Sequence, residues 1–128
     1  MLPEDVRALF EGANQAHVAT LMPDGSPHSV PVWVGVEEGR VAFLTSPNSR
    51  KGRNLERDPR VCVSLTDAER PFTMAQVRGR VVERWDDAAA WEVIDRISRK
   101  YTGGPYAVRT DRTLYLIEPE HAWAQAIG

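Results

Sequence analysis

The sequence has few of the residues that mark secreted, metal-binding or membrane-spanning proteins. Cys62 is the single cysteine, so no internal disulfide can form and nothing points to an oxidising compartment. The three histidines, His17, His28 and His121, show no metal-ligand spacing with one another or with Cys62. No apolar run approaches the ~18 residues of a membrane-spanning helix, and the N-terminus lacks a basic segment followed by an apolar one. These absences predict a cytoplasmic protein with no metal site and no membrane partner.

Lysine is scarce as well, and positive charge is not in surplus over the whole chain. Of the 16 basic residues only Lys51 and Lys100 are lysines, and the net charge of the 128 residues is -2. A general nucleic-acid binder usually carries a domain-wide basic surplus, so no nucleic-acid partner is expected. A chain of this length forms one domain, residues 1–128, that is large enough to bury a core. Any site for an anion must therefore be local.

Turn residues divide the chain into short strands and helices. Alternating apolar residues predict strands over residues 16–22, 28–36, 40–45, 60–66, 72–85 and 113–117, the last extending toward residue 123. Helices are expected near the N-terminus, over residues 49–57, and from Asp86 or Asp87 to Lys100. Six mostly antiparallel strands with short helices between them predict a mainly β fold, either a small barrel or a curled sheet.

Two residues predict irregularities in this sheet. Pro31 lies in the middle of the second predicted strand and has no backbone N–H for a ladder, so that strand should be an edge or leave a gap on one side. Gly79 lies inside the long fifth strand, where a glycine is typical of a bulge or a bend.

The stretch SPNSRKGRNLERDPR, residues 46–60, gathers five basic side chains against two acidic ones directly after a predicted strand. Ser46 or Ser49 can cap a helix here, which places Arg50 and Lys51 in its first turn. Basic residues in a first turn oppose the helix dipole, so their presence indicates an anion such as phosphate at the helix N-terminus.

A second interpretation of the same stretch is a solvated, charged helix face. Arg57 and Arg60 would then pair with their acidic neighbours Glu56 and Asp58. Spacing alone leaves both interpretations open.

The phosphate interpretation gains support from a resemblance that covers about residues 13–123. The basic stretch, together with the strand before it, resembles the flavin-phosphate segment of the pyridoxamine 5′-phosphate oxidase-like split β-barrels. Within that superfamily the sequence is most similar to the flavin/deazaflavin oxidoreductases that use coenzyme F420. The resemblance is carried by VAT (18–20), DG (24–25), PH (27–28), VPVW (30–33), SRKGRNL (49–55), RPF (70–72) and VRGRV (77–81).

The resemblance implies a six-stranded antiparallel split β-barrel, also called the FMN-binding split barrel, that forms a homodimer with the cofactor in a groove between the chains. The residues that match the phosphate-binding positions are Thr45, Ser49, Arg50 and Lys51. The cofactor ring would lie against the second strand, near Val30, Pro31, Val32 and Trp33, and Arg53 would offer further positive charge to an acidic cofactor tail. Beyond these nine residues, Arg57 is a second candidate for contact with the tail, and Arg78 and Arg80 are minor ones.

The function that the resemblance implies is hydride transfer from reduced coenzyme F420 to a small unsaturated or quinone-like acceptor. The cofactor would supply the chemistry, so no catalytic side chain is assigned. Two alternatives remain open at this point. One is an FMN-dependent oxidase or reductase of the same fold, and the other is a protein that carries a flavin or deazaflavin without catalysing a reaction.

Three departures from the vitamin-pathway oxidases of the superfamily argue against oxidation of pyridoxamine phosphate. Ser29 stands where those enzymes carry an arginine, and Met74 and Ala75 stand where they carry a glutamine, with Gln76 out of register. Those enzymes also end in a segment with an arginine that holds pyridoxal phosphate, whereas no arginine follows Arg112 here.

Overall fold

Residues 1–126 are described by the computed structural model and form seven strands and three helices. The strands are Ala16–Leu21 (β1), Pro27–Val32 (β2), Val34–Glu37 (β3), Arg40–Thr45 (β4), Arg60–Thr66 (β5), Thr73–Trp85 (β6) and Thr113–Ala126 (β7). The helices are Glu4–Glu11 (α1), Arg50–Arg57 (α2) and Ala88–Thr102 (α3). Ile127 and Gly128, the end of the predicted domain 1–128, lie outside the described residues. None of the described helices is long and apolar enough to cross a membrane.

All seven strands belong to one antiparallel sheet with the order β2-β1-β5-β6-β7-β4-β3. β2 and β3 lie at opposite ends of this order, although a single residue, Trp33, separates them in the chain. The sheet must therefore curl until its two ends meet at Trp33, which gives a split barrel. The predicted mainly β architecture with a curled antiparallel sheet is confirmed.

The prediction of six strands is wrong, because the segment predicted as one strand, residues 28–36, forms two. β2 pairs with β1, whereas β3 pairs with β4. Alternating valines run through both halves, so the hydrophobic period gives no sign of the break. The chain changes its partner at Trp33, whose ring stacks on Tyr101 of α3. β2 has β1 as its one strand neighbour in the described sheet, which confirms the prediction that Pro31 marks an edge or a gap.

Both faces of β4 are buried, one inside the barrel and the other beneath α3. α3 therefore lies next to the site described below. Val41 and Phe43 belong to the apolar cluster inside the barrel, whereas Ala42 and Leu44 belong to a second cluster beneath α3. α3 begins after Asp87, whose side chain accepts the Ala90 N–H at 3.3 Å, and ends at Gly103 with a left-handed φ of 84°. The loop that follows, residues 103–112, therefore starts beside the outer face of β4.

The predicted irregularity at Gly79 is confirmed. The register between β6 and β7 shifts between Arg78 and Gly79, as in a β-bulge. A Cβ atom built on Gly79 would lie 2.0 Å from the carbonyl oxygen of Glu118, so the two backbones approach more closely than any side chain would allow. Glycine is needed here for that contact.

We expect Gly79→Ala to lower the free energy of unfolding by about 1–3 kcal/mol, because the backbone of β7 must move away from the new methyl group. The matched control is Gly104→Ala, since a Cβ atom at Gly104 meets no atom within 4 Å. Urea denaturation of both variants tests this expectation. Equal midpoints for the two variants would show that the close backbone approach at Gly79 is not required.

Candidate cofactor-binding site

The split in the barrel opens a cavity of about 480 Å³. Pairing between β3 and β4 stops at Val34 and Phe43. If that register continued, residues 32–33 would lie opposite residues 44–45, but β2 pairs with β1 instead. These four residues line the cavity. The site therefore arises directly from the change of strand partner at Trp33.

The cavity brings together six of the nine residues predicted to bind a cofactor, which are Pro31, Val32, Trp33, Thr45, Ser49 and Lys51. Five further residues line it that were not among the predicted cofactor-binding residues, namely Gln15, Leu44, Ser46, Tyr106 and Arg112. The second-strand residues and the helix residues, about 15 positions apart in the chain, thus meet at one place.

The other three predicted residues lie outside the lining of this cavity. Val30 packs against the core inside the barrel, opposite Val18 of β1. The Nε of Arg50 donates to the Oδ1 of Asn54, 3.1 Å away within α2. Arg53 is exposed. Their roles as cofactor contacts remain predictions.

The two interpretations of the basic stretch apply to different residues within it. Arg60 pairs with Asp58 at 2.8 Å, and its hydrogen bonds to that carboxylate lower the pKa of Asp58 to about 2. Arg57 donates to the carbonyl oxygen of Leu21 and forms no ion pair with Glu56 in the described structure. These two arginines therefore have hydrogen-bond partners within the fold. Lys51 instead points to the cavity.

Ser49 caps α2 and shapes the turn before it. Its Oγ accepts the Gly52 N–H at 3.1 Å and donates to the carbonyl oxygen of Ser46 at 2.7 Å, while Thr45 Oγ1 lies 3.2 Å away. A Cβ atom on Gly52 would lie 2.6 Å from that same Ser46 oxygen, so residue 52 must be glycine for the turn to pack this tightly. The turn thereby holds the first turn of α2, and Lys51 within it, against the cavity.

Lys51 carries a positive charge that the protein does not neutralise. Its ammonium group has no hydrogen bond or ion pair with any residue between 1 and 126, and the described lining contains no carboxylate. Burial lowers the pKa of Lys51, and the nearby charge of Arg112 lowers it further. A half-buried cation beside a second cation costs stability unless an anion joins them. This donor set fits a phosphate, and the described residues contain no cluster of metal-ligating side chains.

An aromatic wall borders the cavity on the side of the second strand. Trp33 stacks on Tyr101 with ring centroids 5.3 Å apart and planes within 7°, and Tyr106 meets it edge-on at 5.9 Å. Tyr101 is held in turn, because its hydroxyl donates to the carbonyl oxygen of Asn14 at 2.7 Å and accepts the Val34 N–H at 3.3 Å. Trp33 therefore offers a fixed apolar surface beside the cationic end of the cavity.

Comparison with known proteins shows the family to which the chain belongs. The family model for pyridoxamine 5′-phosphate oxidase matches residues 2–126, so the chain belongs to that family, which includes flavin-binding oxidoreductases. No protein with curated annotation shows significant sequence similarity to the chain.

Several solved structures share the fold over nearly the whole chain. An F420 reductase superposes with a TM-score of 0.82 at 26% identity, covering 95% of this chain and 98% of its own. A conserved hypothetical protein from Mycobacterium tuberculosis has a TM-score of 0.80 at 24% identity, covering 98% of this chain and 86% of its own. General Stress Protein 26 from Bacillus anthracis has a TM-score of 0.73 at 19% identity, covering 94% and 91%.

The uncompensated charge predicts that Lys51→Met leaves the free protein equally stable or stabilises it by up to about 1 kcal/mol, while weakening the binding of phosphate compounds. This gain in the free energy of unfolding should be complete at neutral pH, where Lys51 of the wild type is charged. It should shrink as the pH rises from the lowered pKa of Lys51 toward 10.5, because the ammonium loses its charge in both states.

The second lysine supplies the control for this experiment. Lys100 is also half-buried, and burial lowers its pKa to about 8, but its ammonium donates to the carbonyl oxygens of Phe10 and Val34. Lys100→Met should therefore destabilise the protein by about 1–3 kcal/mol, since two buried acceptors lose their donor. Thermal and urea unfolding between pH 7 and pH 10.5 measure both effects. Equal destabilisation by the two substitutions would mean that Lys51 is a structural residue.

Proposed function

We propose that the protein is an oxidoreductase that transfers a hydride from reduced coenzyme F420 to a small unsaturated or quinone-like acceptor. One observation carries this proposal. The cavity at the split joins an uncompensated cationic end, at Lys51, to a fixed aromatic and apolar wall, at residues 31–33. A molecule with a phosphate at one end and a flat ring at the other matches both ends of that cavity.

Each part of the site then has a separate task. Lys51 and the hydroxyl of Thr45 bind the phosphate, and α2, which begins at the same end of the cavity, adds the partial positive charge of its N-terminus. Residues 31–33 orient the ring and keep water from one of its faces. Bound there, the deazaflavin ring would supply the hydride, so the protein's own tasks are binding, orientation and exclusion of water.

The choice of coenzyme F420 over FMN rests on two supports. An F420 reductase superposes on this chain over nearly the full length of both proteins. In addition, Arg53 is exposed on α2 and can meet an acidic tail that FMN does not have. An FMN-dependent oxidase or reductase is the second candidate, because the family includes flavin-binding oxidoreductases and the same cationic end suits the FMN phosphate.

We also propose that the protein works as a homodimer, with the partner chain covering the open side of the cavity. The support is a set of large apolar side chains left exposed on this chain. Phe72 is 73% exposed and Trp123 is 37% exposed, and Val108 in the loop after α3 is exposed as well. Burial of these side chains against a partner chain would remove their apolar area from water.

One prediction of the proposed function concerns the choice of cofactor. We expect coenzyme F420 to bind more tightly than FMN at low salt, with the difference shrinking as the salt concentration rises, because exposed tail contacts contribute only ~0.2–1 kcal/mol each and are screened. Fluorescence titrations of both cofactors at several salt concentrations measure this. Arg53→Gln should reduce the preference and leave FMN affinity nearly unchanged, whereas Arg99→Gln on the exposed side of α3 should change neither affinity. Tighter FMN binding at every salt concentration would favour the FMN enzyme.

Another prediction of the proposed function concerns the number of chains in the assembled protein. Sedimentation equilibrium at the concentrations used for the titrations should give the mass of two chains, because one chain alone leaves the cofactor ring exposed to water. Trp123→Glu, which replaces one of these exposed apolar side chains with a charge, should shift the protein toward the monomer and weaken cofactor binding in parallel. A monomer that binds the cofactor with full affinity would contradict the proposed dimer.

A further inference from the structure

The loop between α3 and β7 brings an unexpected cation to the cavity. Arg112, the last residue before β7, lines the cavity together with Lys51, although 60 positions separate them in the sequence. It lies close enough for its charge to lower the pKa of Lys51. These two side chains are the charged groups of the described lining, and Tyr106 is the one other titratable side chain there.

The residue before Arg112 is tied to the turn that precedes α2. Asp111 has a left-handed φ of 57°, a conformation that is uncommon for residues other than glycine, although aspartate adopts it more readily than most. Its Oδ2 accepts a hydrogen bond of 2.7 Å from the hydroxyl of Ser46, a residue of that same cavity-lining turn. The loop position of Arg112 is thus fixed relative to the cationic end.

The guanidinium group of Arg112 is oriented but not neutralised. Its Nε donates to the hydroxyl of Tyr106 at 3.1 Å, and its Nη1 donates to the carbonyl oxygen of Asp111 at 2.7 Å. Within residues 1–126 it has no carboxylate at ion-pair distance and its Nη2 has no partner. Arg109 in the same loop differs, since it pairs with Asp95 at 2.6 Å and lies over the Trp91 ring. Of these two loop arginines, Arg109 therefore stabilises the fold, whereas Arg112 lines the cavity.

We propose that Arg112 is a second phosphate-binding residue, which faces Lys51 and holds the ligand's phosphate between two cations. The identification of the ligand as a flavin or deazaflavin phosphate rests on the function proposed above, but the anion site itself does not. A guanidinium offers a planar pair of donors to two phosphate oxygens, whereas an ammonium acts as a point charge. Together they fix both the position and the rotation of the phosphate group.

The experiment compares Arg112→Gln with wild type and with the control Arg99→Gln, which removes an exposed arginine of α3 outside the cavity lining. Three probes are titrated into each protein, namely FMN, riboflavin and inorganic phosphate. Riboflavin has the ring of FMN but no phosphate, so it reports any general damage to the site. We expect Arg112→Gln to weaken FMN and phosphate binding by about tenfold or more and to leave riboflavin binding within about twofold of wild type.

The pH profile of FMN binding tests separately whether the charge of Arg112 acts on Lys51 at the same end of the cavity. Removing the guanidinium charge should raise the pKa of Lys51, so the decline of FMN affinity at high pH should move to higher pH. If Arg112→Gln does not fold, Arg112→Lys decides the question. It keeps the charge but loses the paired donors, and should weaken FMN and phosphate binding by about threefold while leaving riboflavin binding unchanged.

The outcomes separate this inference from the proposed function. Unchanged FMN and phosphate affinities in Arg112→Gln, or equal losses for FMN and riboflavin, would overturn the role of Arg112 and leave the proposed function standing. If wild type binds no flavin or deazaflavin but binds inorganic phosphate, and Arg112→Gln does not, the proposed function fails and the phosphate site stands. A wild type that binds none of these probes, and no coenzyme F420 in the titrations described above, would overturn both.

Discussion

The change of strand partner at Trp33 is the constraint on which the rest of the structure depends. A continuous second strand would close the barrel and leave no space for a ligand. Because β2 stays with β1 while β3 joins β4, the two edges separate at that residue and the cavity opens between them. The stack of Trp33 on Tyr101 of α3 holds the separation in place. The sheet topology therefore provides the cavity of the candidate site, and the side chains that line it provide its charge and its apolar wall.

Two of the charges around the split have no counter-ion among the described residues, which costs stability. Most arginines with described contacts on the surface pair with a carboxylate or a carbonyl oxygen, as Arg60 and Arg57 do. Lys51 and Arg112 face one cavity with no counter-ion among the described residues. A fold selected for stability alone would not place two cations there, whereas a site for a phosphate requires them.

The sequence allowed most of the elements and part of the site to be predicted, because those features depend on neighbours in the chain. The strands on either side of the split, the Ser49 cap and the bulge at Gly79 follow from local patterns of apolar, capping and glycine residues. The break at Trp33 could not be predicted, since the valine alternation continues through it. Arg112 could not be predicted either. It reaches the cavity through α3 and a ten-residue loop, and no local signal distinguishes it from Arg109.

The most direct test of this account is a crystal structure of the protein with coenzyme F420 or FMN bound. We expect phosphate oxygens within hydrogen-bond distance of the Nζ of Lys51 and the ring against residues 31–33 in the split. A cofactor phosphate bound elsewhere would contradict it, for example in the outer-face cavity that Arg60 and Arg78 line. So would a ring that makes no contact with Trp33.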